Sequence, residues 1–358
     1  MFILGNNYIL FFITILFAGI LLNYLLIKNY KILNLAKLLD AEFKKPQSFH
    51  KKSILRVGGL SFYIIFLIII FFFTQRFYYD LFFLSTACFF IGFLDDIKII
   101  KSPRVRLFFL LFSINLIIYY FDIETPKFQI LNLDEILTQI NWLRIFLLSI
   151  CFIFIINGSN FIDGYNGLLI GQFSIILIIL NIINFYYFNY ELFFLGCAIL
   201  SLSISLLIFN FPKAKLFLGD SGSYLIGAIL SYLLIKTSIS TKSTIPPFFY
   251  GCIIYYIFFE VIFSFFRKLI FERKNPMFPD RKHLHMLIFT HLNKKCSLIK
   301  ANYKTGLYVN LIYTTSLLPL IFFFKDFILI KIYFFLLLIF YVLIYFFFYF
   351  KILNKRLN

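Results

Sequence analysis

Sixteen Asp and Glu residues in a chain of 358 are few enough to read one at a time. Four stand where they could do chemistry. Asp95 and Asp96 close an apolar run in GFLDDIK, Asp163 lies in NGSNFIDGYNGL, and Asp220 lies in KAKLFLGDSGS. Carboxylates at the edge of apolar segments are costly unless they are paired, hydrated or bound to a cation. Glycines flank them in DGYNG and GDSG, where backbone amides approach an anion closely. The same surroundings carry Lys98, Arg104, Arg106, Lys213 and Lys215, followed by a loop containing PDRKHLHM. Carboxylates mixed with Lys, Arg and His suit a divalent ion held together with phosphates: oxygen ligands take Mg²⁺ while the cations neutralise phosphoryl oxygens. The residues therefore read as a phosphoryl-transfer site. The plainer alternative is that the bases only orient the chain in a membrane and the acids only pair with them.

The other candidates carry less. Asp80, Asp122, Glu124, Asp134, Glu135, Glu191 and Asp326 read as solvated loop charges. His283 and His285 point the same way on an extended segment and apart on a helix, so they are no zinc pair at i, i+4. His50 and His291 read as loop residues. The five cysteines lie at least 44 residues apart and form no C-x-x-C pair, which gives a zinc site or a redox dithiol no support.

The elements that must position these residues are membrane helices. The chain is 62% hydrophobic and 14% charged, against roughly 45–50% and about 25% in an ordinary soluble domain. Apolar runs bounded by polar gaps give eleven spans, near 8–27, 57–73, 81–94, 107–121, 142–158, 167–184, 192–209, 221–236, 248–266, 306–323 and 327–350. The net charge of +18 does not point to nucleic acid, because the bases sit in short gaps between apolar runs. It sets orientation instead. Loops 28–56, 95–106, 210–220, 267–305 and the tail 351–358 hold 27 Lys and Arg, and the other side holds 7. By the positive-inside rule the N-terminus is expected outside and the C-terminus in the cytoplasm, with the four acids on the cytoplasmic face. The first apolar segment lacks a charged leader and a small-residue cleavage site, and reads as a retained helix. The expected fold is all-α, a single polytopic membrane domain over 1–358, with loop 267–305 contributing to the site.

Taken in order, these motifs resemble the polyprenyl-phosphate N-acetylhexosamine-1-phosphate transferases of the MraY/WecA type. The resemblance rests on GGL at 58–60, D-D-x-x-K at Asp95, Asp96 and Lys98, the stretch from Asn157 to Leu168, the stretch from Asn210 to Ser223, the segment from Glu260 to Arg267, and DRKHLHM, covering 58–286. It implies that a UDP-N-acetylhexosamine donates its sugar 1-phosphate to a polyprenyl phosphate with Mg²⁺, or Mn²⁺ in its place, releasing UMP. It also implies a cytoplasmic-membrane enzyme that starts a cell-envelope polysaccharide. DRKHLHM is similar to the branch that initiates teichoic acid, O-antigen or enterobacterial common antigen chains; the peptidoglycan branch has three consecutive histidines there.

Carried over residue by residue, the resemblance makes Asp220 the metal ligand and Asp95, Asp96 and Asp163 the catalytic acids. Lys98, Arg106, Asn160, Asn166, Asn210, His283 and His285 become substrate-binding residues. The chain departs from the family at Asn166, where a second Asp is common, and at Glu260, where Asp is common. Asn keeps hydrogen bonds and loses the charge, which favours a nucleoside contact over a metal ligand, so Asn166→Asp is expected to be tolerated. Glu260 reads either as a site residue or as a structural partner for Arg267, about two turns along one helix. Two other classes compete. A transporter or flippase of an anionic lipid would place ionisable groups near the bilayer midplane and show internal repeats; the acids here collect at helix ends and no repeat is found. A pseudoenzyme would be marked by Asn166, against which stand four intact acids. A homodimer is left open, and no nucleic-acid partner is expected.

Overall fold

The computed structural model describes residues 2–33, 35–40, 53–72, 78–100, 102–130, 132–275 and 280–353. His50, residues 41–52 of the 28–56 loop and the basic end of the tail lie outside them. The helices are α1 (Phe2–Asn29), α2 (Gly58–Phe72), α3 (Tyr79–Asp96), α4 (Pro103–Tyr120), α5 (Leu133–Gln139), α6 (Asn141–Ile162), α7 (Leu168–Tyr186), α8 (Tyr190–Asn210), α9 (Gly219–Ser240), α10 (Pro247–Ile253), α11 (Tyr255–Phe266), α12 (Leu284–Asn293), α13 (Leu298–Leu317), α14 (Leu320–Phe323) and α15 (Phe327–Leu353). Strands β1 (Leu39–Asp40) and β2 (Ile54–Leu55) make a two-residue antiparallel pair.

The fold is an all-α polytopic membrane architecture. Among the described residues, eight helical stretches are long and apolar enough to cross a membrane, nine if α10 and α11, bent by 80° at their junction, form one broken span. The other two expected spans are α2, of 15 residues, and α3, which carries Asp80, Asp95 and Asp96 at its ends. Outward-facing apolar side chains such as Phe17, Phe112, Ile182 and Leu343 are exposed on these helices, a surface that only lipid tolerates. Proline at the first position starts α4 and α10, where its missing N–H costs nothing.

At the centre stands α9, buried almost continuously from Ser221 to Ile235. It packs against α2, α3, α6 and α7. Small residues allow this, because helix packing inside a membrane depends on close backbone approach. A Cβ on Gly92 of α3 would lie 2.6 Å from the Ser221 Cα, and one on Gly227 would lie 2.6 Å from the Ile156 Cα of α6. The GGL segment has a backbone role as well. The Gly58 and Gly59 N–H groups donate to Phe217 O and Leu218 O at 2.9 Å, and Phe217 N–H donates to Leu55 O at 2.8 Å. The chain entering α2 is thereby stitched to the segment that leads into α9.

Several expectations change. The connection 267–305 is largely helical: among the described residues it contains a π-helical turn (Arg267–Phe271), α12 and the first turns of α13. His291 is buried in α12 with its ring 5.7 Å from that of Phe348 on α15. Nor is Asp80 a solvated loop charge. It sits at the start of α3, 3.0 Å from Lys236 Nζ, and accepts a 2.8 Å bond from the Tyr232 hydroxyl, both on α9. An acid left alone at that depth would be expensive, so α9 supplies its partners. The five cysteines are all free.

Gly92→Ala should push α3 off α9 and cost about 1–3 kcal/mol, the usual range for overpacking. Gly164→Ala, where a Cβ would meet nothing within 4 Å, should leave stability unchanged. Thermal unfolding of the two purified variants compares them directly.

Candidate active site

Three helix ends meet at one end of α9. Asp96, the last residue of α3, is 4% exposed and turns its carboxylate onto the first turn of α9. One oxygen accepts the Asp220 N–H at 2.9 Å; the other accepts the Ser221 N–H at 2.9 Å and the Ser221 hydroxyl at 2.7 Å. The first N–H groups of a helix have no partner within it and carry its positive end, so an ionised carboxylate is well suited there. Gly219 makes room for it: its φ is +76°, and a Cβ would lie 2.6 Å from the Asp96 Oδ2.

With Asp96 turned inward, Asp95 and Asp220 are the carboxylates left facing outward, 18% and 29% exposed. Arg106, one turn into α4, pairs with Asp95 and reaches to 3.7 Å from Asp220 Oδ2. Its guanidinium lies 5.6 Å from the centre of the Tyr224 ring, one turn after Asp220. Asp163 follows α6 and opens the turn to α7. Burial pushes its carboxyl well above the ordinary range, and neighbouring Asp96 adds to the effect while Arg56 opposes it.

Amides hold that turn in place. Gly167 N–H donates to Asn210 Oδ1 at 2.6 Å, and Asn210 Nδ2 donates to Leu216 O at 3.0 Å. Asn166 N–H donates to Asn302 Oδ1, and Asn166 Nδ2 to Pro212 O, both at 2.9 Å. Asn310 Nδ2 donates to Gly167 O at 2.9 Å. From α6, Asn160 Oδ1 accepts the Ser223 hydroxyl at 3.0 Å.

The histidines close the other side. His283 is the extended residue before α12 and His285 lies in its first turn, so their rings stack 5.4 Å apart at 9°. Both face Glu260 of α11: His283 Nδ1 lies 2.9 Å from Oε2, His285 Nδ1 lies 3.3 Å from Oε1, and Leu284 N–H donates to Oε1 at 3.1 Å. Their rings also touch Phe161 and Tyr165, which bracket Asp163. Burial pushes His285 below the ordinary imidazole value, against the pull of Glu260. Arg267 is not the partner of Glu260. It binds Glu272 at 2.5 Å and Asp280 at 2.6 Å, and Lys282 joins Glu272 at 2.9 Å. Burial would raise Asp280, but His283 and Arg267 overbalance it and hold the carboxyl below its usual range.

Among the described residues no three acidic, histidine or cysteine side chains converge as a ready-made metal cage. A pair of outward carboxylates sharing one cation is nonetheless the donor set that Mg²⁺ uses, since that ion takes one or two carboxylates and completes its shell with water and substrate phosphates.

Residues 78–238 match glycosyl transferase family 4. The chain is 34% identical over 301 residues to the phospho-N-acetylmuramoyl-pentapeptide-transferase of Prochlorococcus marinus, covering 76% of this chain and 80% of that one. It is 28% identical over 254 residues to the undecaprenyl-phosphate alpha-N-acetylglucosaminyl 1-phosphate transferase of Thermotoga maritima, covering 68% and 71%. A probable undecaprenyl-phosphate N-acetylglucosaminyl 1-phosphate transferase of Bacillus subtilis is 26% identical over 243 residues, covering 66% of each. The chain belongs to glycosyl transferase family 4, among the polyprenyl-phosphate hexosamine-1-phosphate transferases.

In this family 4 chain the residues singled out by sequence divide by what they touch. Asp95 and Asp220 stand about Arg106, and Asp163 lies within electrostatic reach of Asp96; Lys98 is exposed on the turn after α3, with φ of 64°. Asp96 and Asn210 spend both side-chain polar atoms on the protein itself, while Asn160 commits its Oδ1 and Asn166 its Nδ2. An aspartate at 166 would set a carboxylate against the Pro212 carbonyl that the amide now satisfies, so the expected tolerance of Asn166→Asp does not follow from the geometry. Arg56, Tyr224, Asn302 and Asn310 escaped the sequence reading. Arg56 is one base in a basic loop, and the two α13 amides lie beyond the motifs.

Asp96→Ala would strand two N–H groups and a hydroxyl, and should lower stability by about 2–4 kcal/mol along with turnover. Asp95→Asn should abolish turnover at nearly unchanged stability. Paired thermal-unfolding and activity measurements separate the roles, and equal melting temperatures for all three proteins would refute the division.

Proposed function

We propose that the chain transfers an N-acetylhexosamine 1-phosphate from a UDP-sugar to polyprenyl phosphate at the cytoplasmic face of the membrane. The observation that carries this reading is the arrangement of Asp95 and Asp220 about Arg106, with Asp163 and the His283–His285 pair beside it. A lipid phosphate oxygen attacks the sugar-bearing phosphorus of the donor, a new phosphorus–oxygen bond forms, the bond to the other phosphorus-bound bridging oxygen breaks, and UMP leaves. Asp220 with Asp95 would hold Mg²⁺, which when bound spreads the negative charge of the donor diphosphate. Arg106, freed from the carboxylates, turns to phosphate oxygens as a planar fork suited to them. Asp163, which follows α6 beside Asp96, would act in its ionised form as the base that takes a proton from the lipid phosphate. The histidine pair, buried against Glu260 and next to Phe161 and Tyr165, would brace the Asp163 turn from α12.

The names of the relatives supply both an N-acetylglucosaminyl and a muramoyl-pentapeptide donor. His283-Leu284-His285-Met286 in place of three histidines favours the smaller donor and a product that starts a cell-envelope polysaccharide. With eleven spans read from the apolar runs, the distribution of 27 against 7 basic residues favours an N-terminus outside.

Two measurements test the proposal. Asp220→Asn keeps size and loses charge, so turnover should fall by about 100-fold or more, with a weakened response in a Mg²⁺ titration against polyprenyl phosphate and a panel of UDP-sugars. Unchanged turnover and Mg²⁺ response would take Asp220 out of the metal site. A cysteine introduced at exposed Lys274 should react with an impermeant label only in opened cells; labelling of intact cells would overturn the orientation.

A further inference from the structure

α11 ends in a charge cluster that the transfer steps above leave unused. The π-helical turn Arg267–Phe271 widens the end of the helix, so that Glu272 N–H donates to Arg267 O at 3.0 Å; such turns frequently stand at functional sites. Arg267 is buried, and a buried cation is costly unless it is well paired. Its Nη1 donates to Glu272 Oε1 at 2.5 Å and its Nη2 to Asp280 Oδ2 at 2.6 Å. Lys282 Nζ joins Glu272 Oε1 at 2.9 Å. The second oxygen of Asp280 faces His283: Oδ1 lies 3.6 Å from His283 Nε2 and accepts Lys282 N–H at 3.3 Å. On the opposite side of the ring, His283 Nδ1 lies 2.9 Å from Glu260 Oε2, and Glu260 Oε1 accepts Leu284 N–H at 3.1 Å. α11 therefore grips the segment 280–284 at two points, by Glu260 and by Arg267.

We propose that Arg267 is a positioning residue for the transfer, setting the His283 ring through Asp280 without touching it. The proposal rests on the transfer reaction proposed above. Two acids lying in different directions need a planar fork. A lysine at 267 brings one point of charge and cannot hold both carboxylates where they stand. An Asp280 released from Nη2 is free to turn, and the ring then keeps only its Glu260 support. The ring of His283 rests 5.3 Å from that of Phe161, two residues before Asp163. Bonded and packed groups thus run without a gap from the guanidinium to the turn that carries Asp163, which is the physical continuity that coupling requires.

The chain has four histidines, so ¹⁵N-histidine spectra of the full protein in lipid nanodiscs are assignable by single substitutions. In Arg267→Lys the His283 resonances should move while those of His291, at the other end of α12, stay, and kcat/KM should fall roughly tenfold, in kcat more than in KM. Asp280→Asn should move the same resonances, and the double variant should lose no more than the worse single one, because both break one path. Lys274→Ala serves as control: this exposed lysine stands 3.8 Å from Glu272 at the outer edge of the cluster, so spectra and turnover should stay as in the parent. Unmoved His283 resonances in folded Arg267→Lys, losses that multiply in the double variant, or equal effects from Lys274→Ala overturn the proposal. If Arg267→Lys does not accumulate, Asp280→Asn alone carries the test, and unmoved His283 resonances there overturn it too. A parent protein that transfers nothing from any UDP-sugar refutes the transfer reading, while the spectra still decide whether Arg267 sets the ring.

Discussion

A single carboxylate on a helix end organises this molecule. Asp96 occupies the amides at the start of α9, and its geometry dictates much of the surrounding sequence. Gly219 must lack a side chain to admit it, Gly92 must lack one so that α3 can approach, and Ser221 supplies a third donor. At the far ends of the same two helices, Asp80 meets Lys236 and Tyr232. α3 and α9 are thus pinned at both ends by polar contacts and held between by backbone proximity. In a bilayer, where apolar contact with lipid competes with apolar contact between helices, such contacts define the pairing.

The pinning sorts the acids. Adjacent residues on a helix point about 100° apart, so Asp96 facing α9 obliges Asp95 to face the opening. Asp220, at the start of the helix that Asp96 caps, gives its backbone to Asp96 and its side chain to the same opening. The amides are sorted likewise. Asn166 and Asn210 bond the backbone of two loops, and Asn302 and Asn310 brace the turn from α13. Buried polar groups must be partnered, and here the partners are the loops that carry the acids, so satisfaction of the interior and placement of Asp163 are one requirement.

The C-terminal third contributes as much as the motif region. The broken pair α10 and α11 brings Glu260 under the histidines, and the Arg267 cluster ties the base of the 272–282 segment to the end of α11. α15 closes the arrangement from outside with aromatic rings. Glu260 and Arg267, seven residues and about two helical turns apart, take different partners: imidazoles for the carboxylate, two acids for the guanidinium.

The helical, membrane-spanning character was legible in the sequence, because a bilayer imposes it through composition and run length alone. So was the placement of Asp95, Asp96, Asp163 and Asp220 at helix ends, because each stands at the edge of an apolar run. The sequence did not say which acid faces inward. Asp95 and Asp96 are chemically identical, and only the position of α9 against α3 distinguishes the residue that caps from the residue that is free. The roles of Asn166 and Asn210 were hidden for the same reason, since an amide serves backbone and ligand equally well and its partner is set by which loop lies opposite. Asp80 looked solvated because its partners stand more than 150 positions away. His283 and His285 face one carboxylate because α12 begins between them, a boundary that spacing of two residues does not encode. Pairing between distant segments depends on helix packing, and the pattern within any one segment carries no record of it.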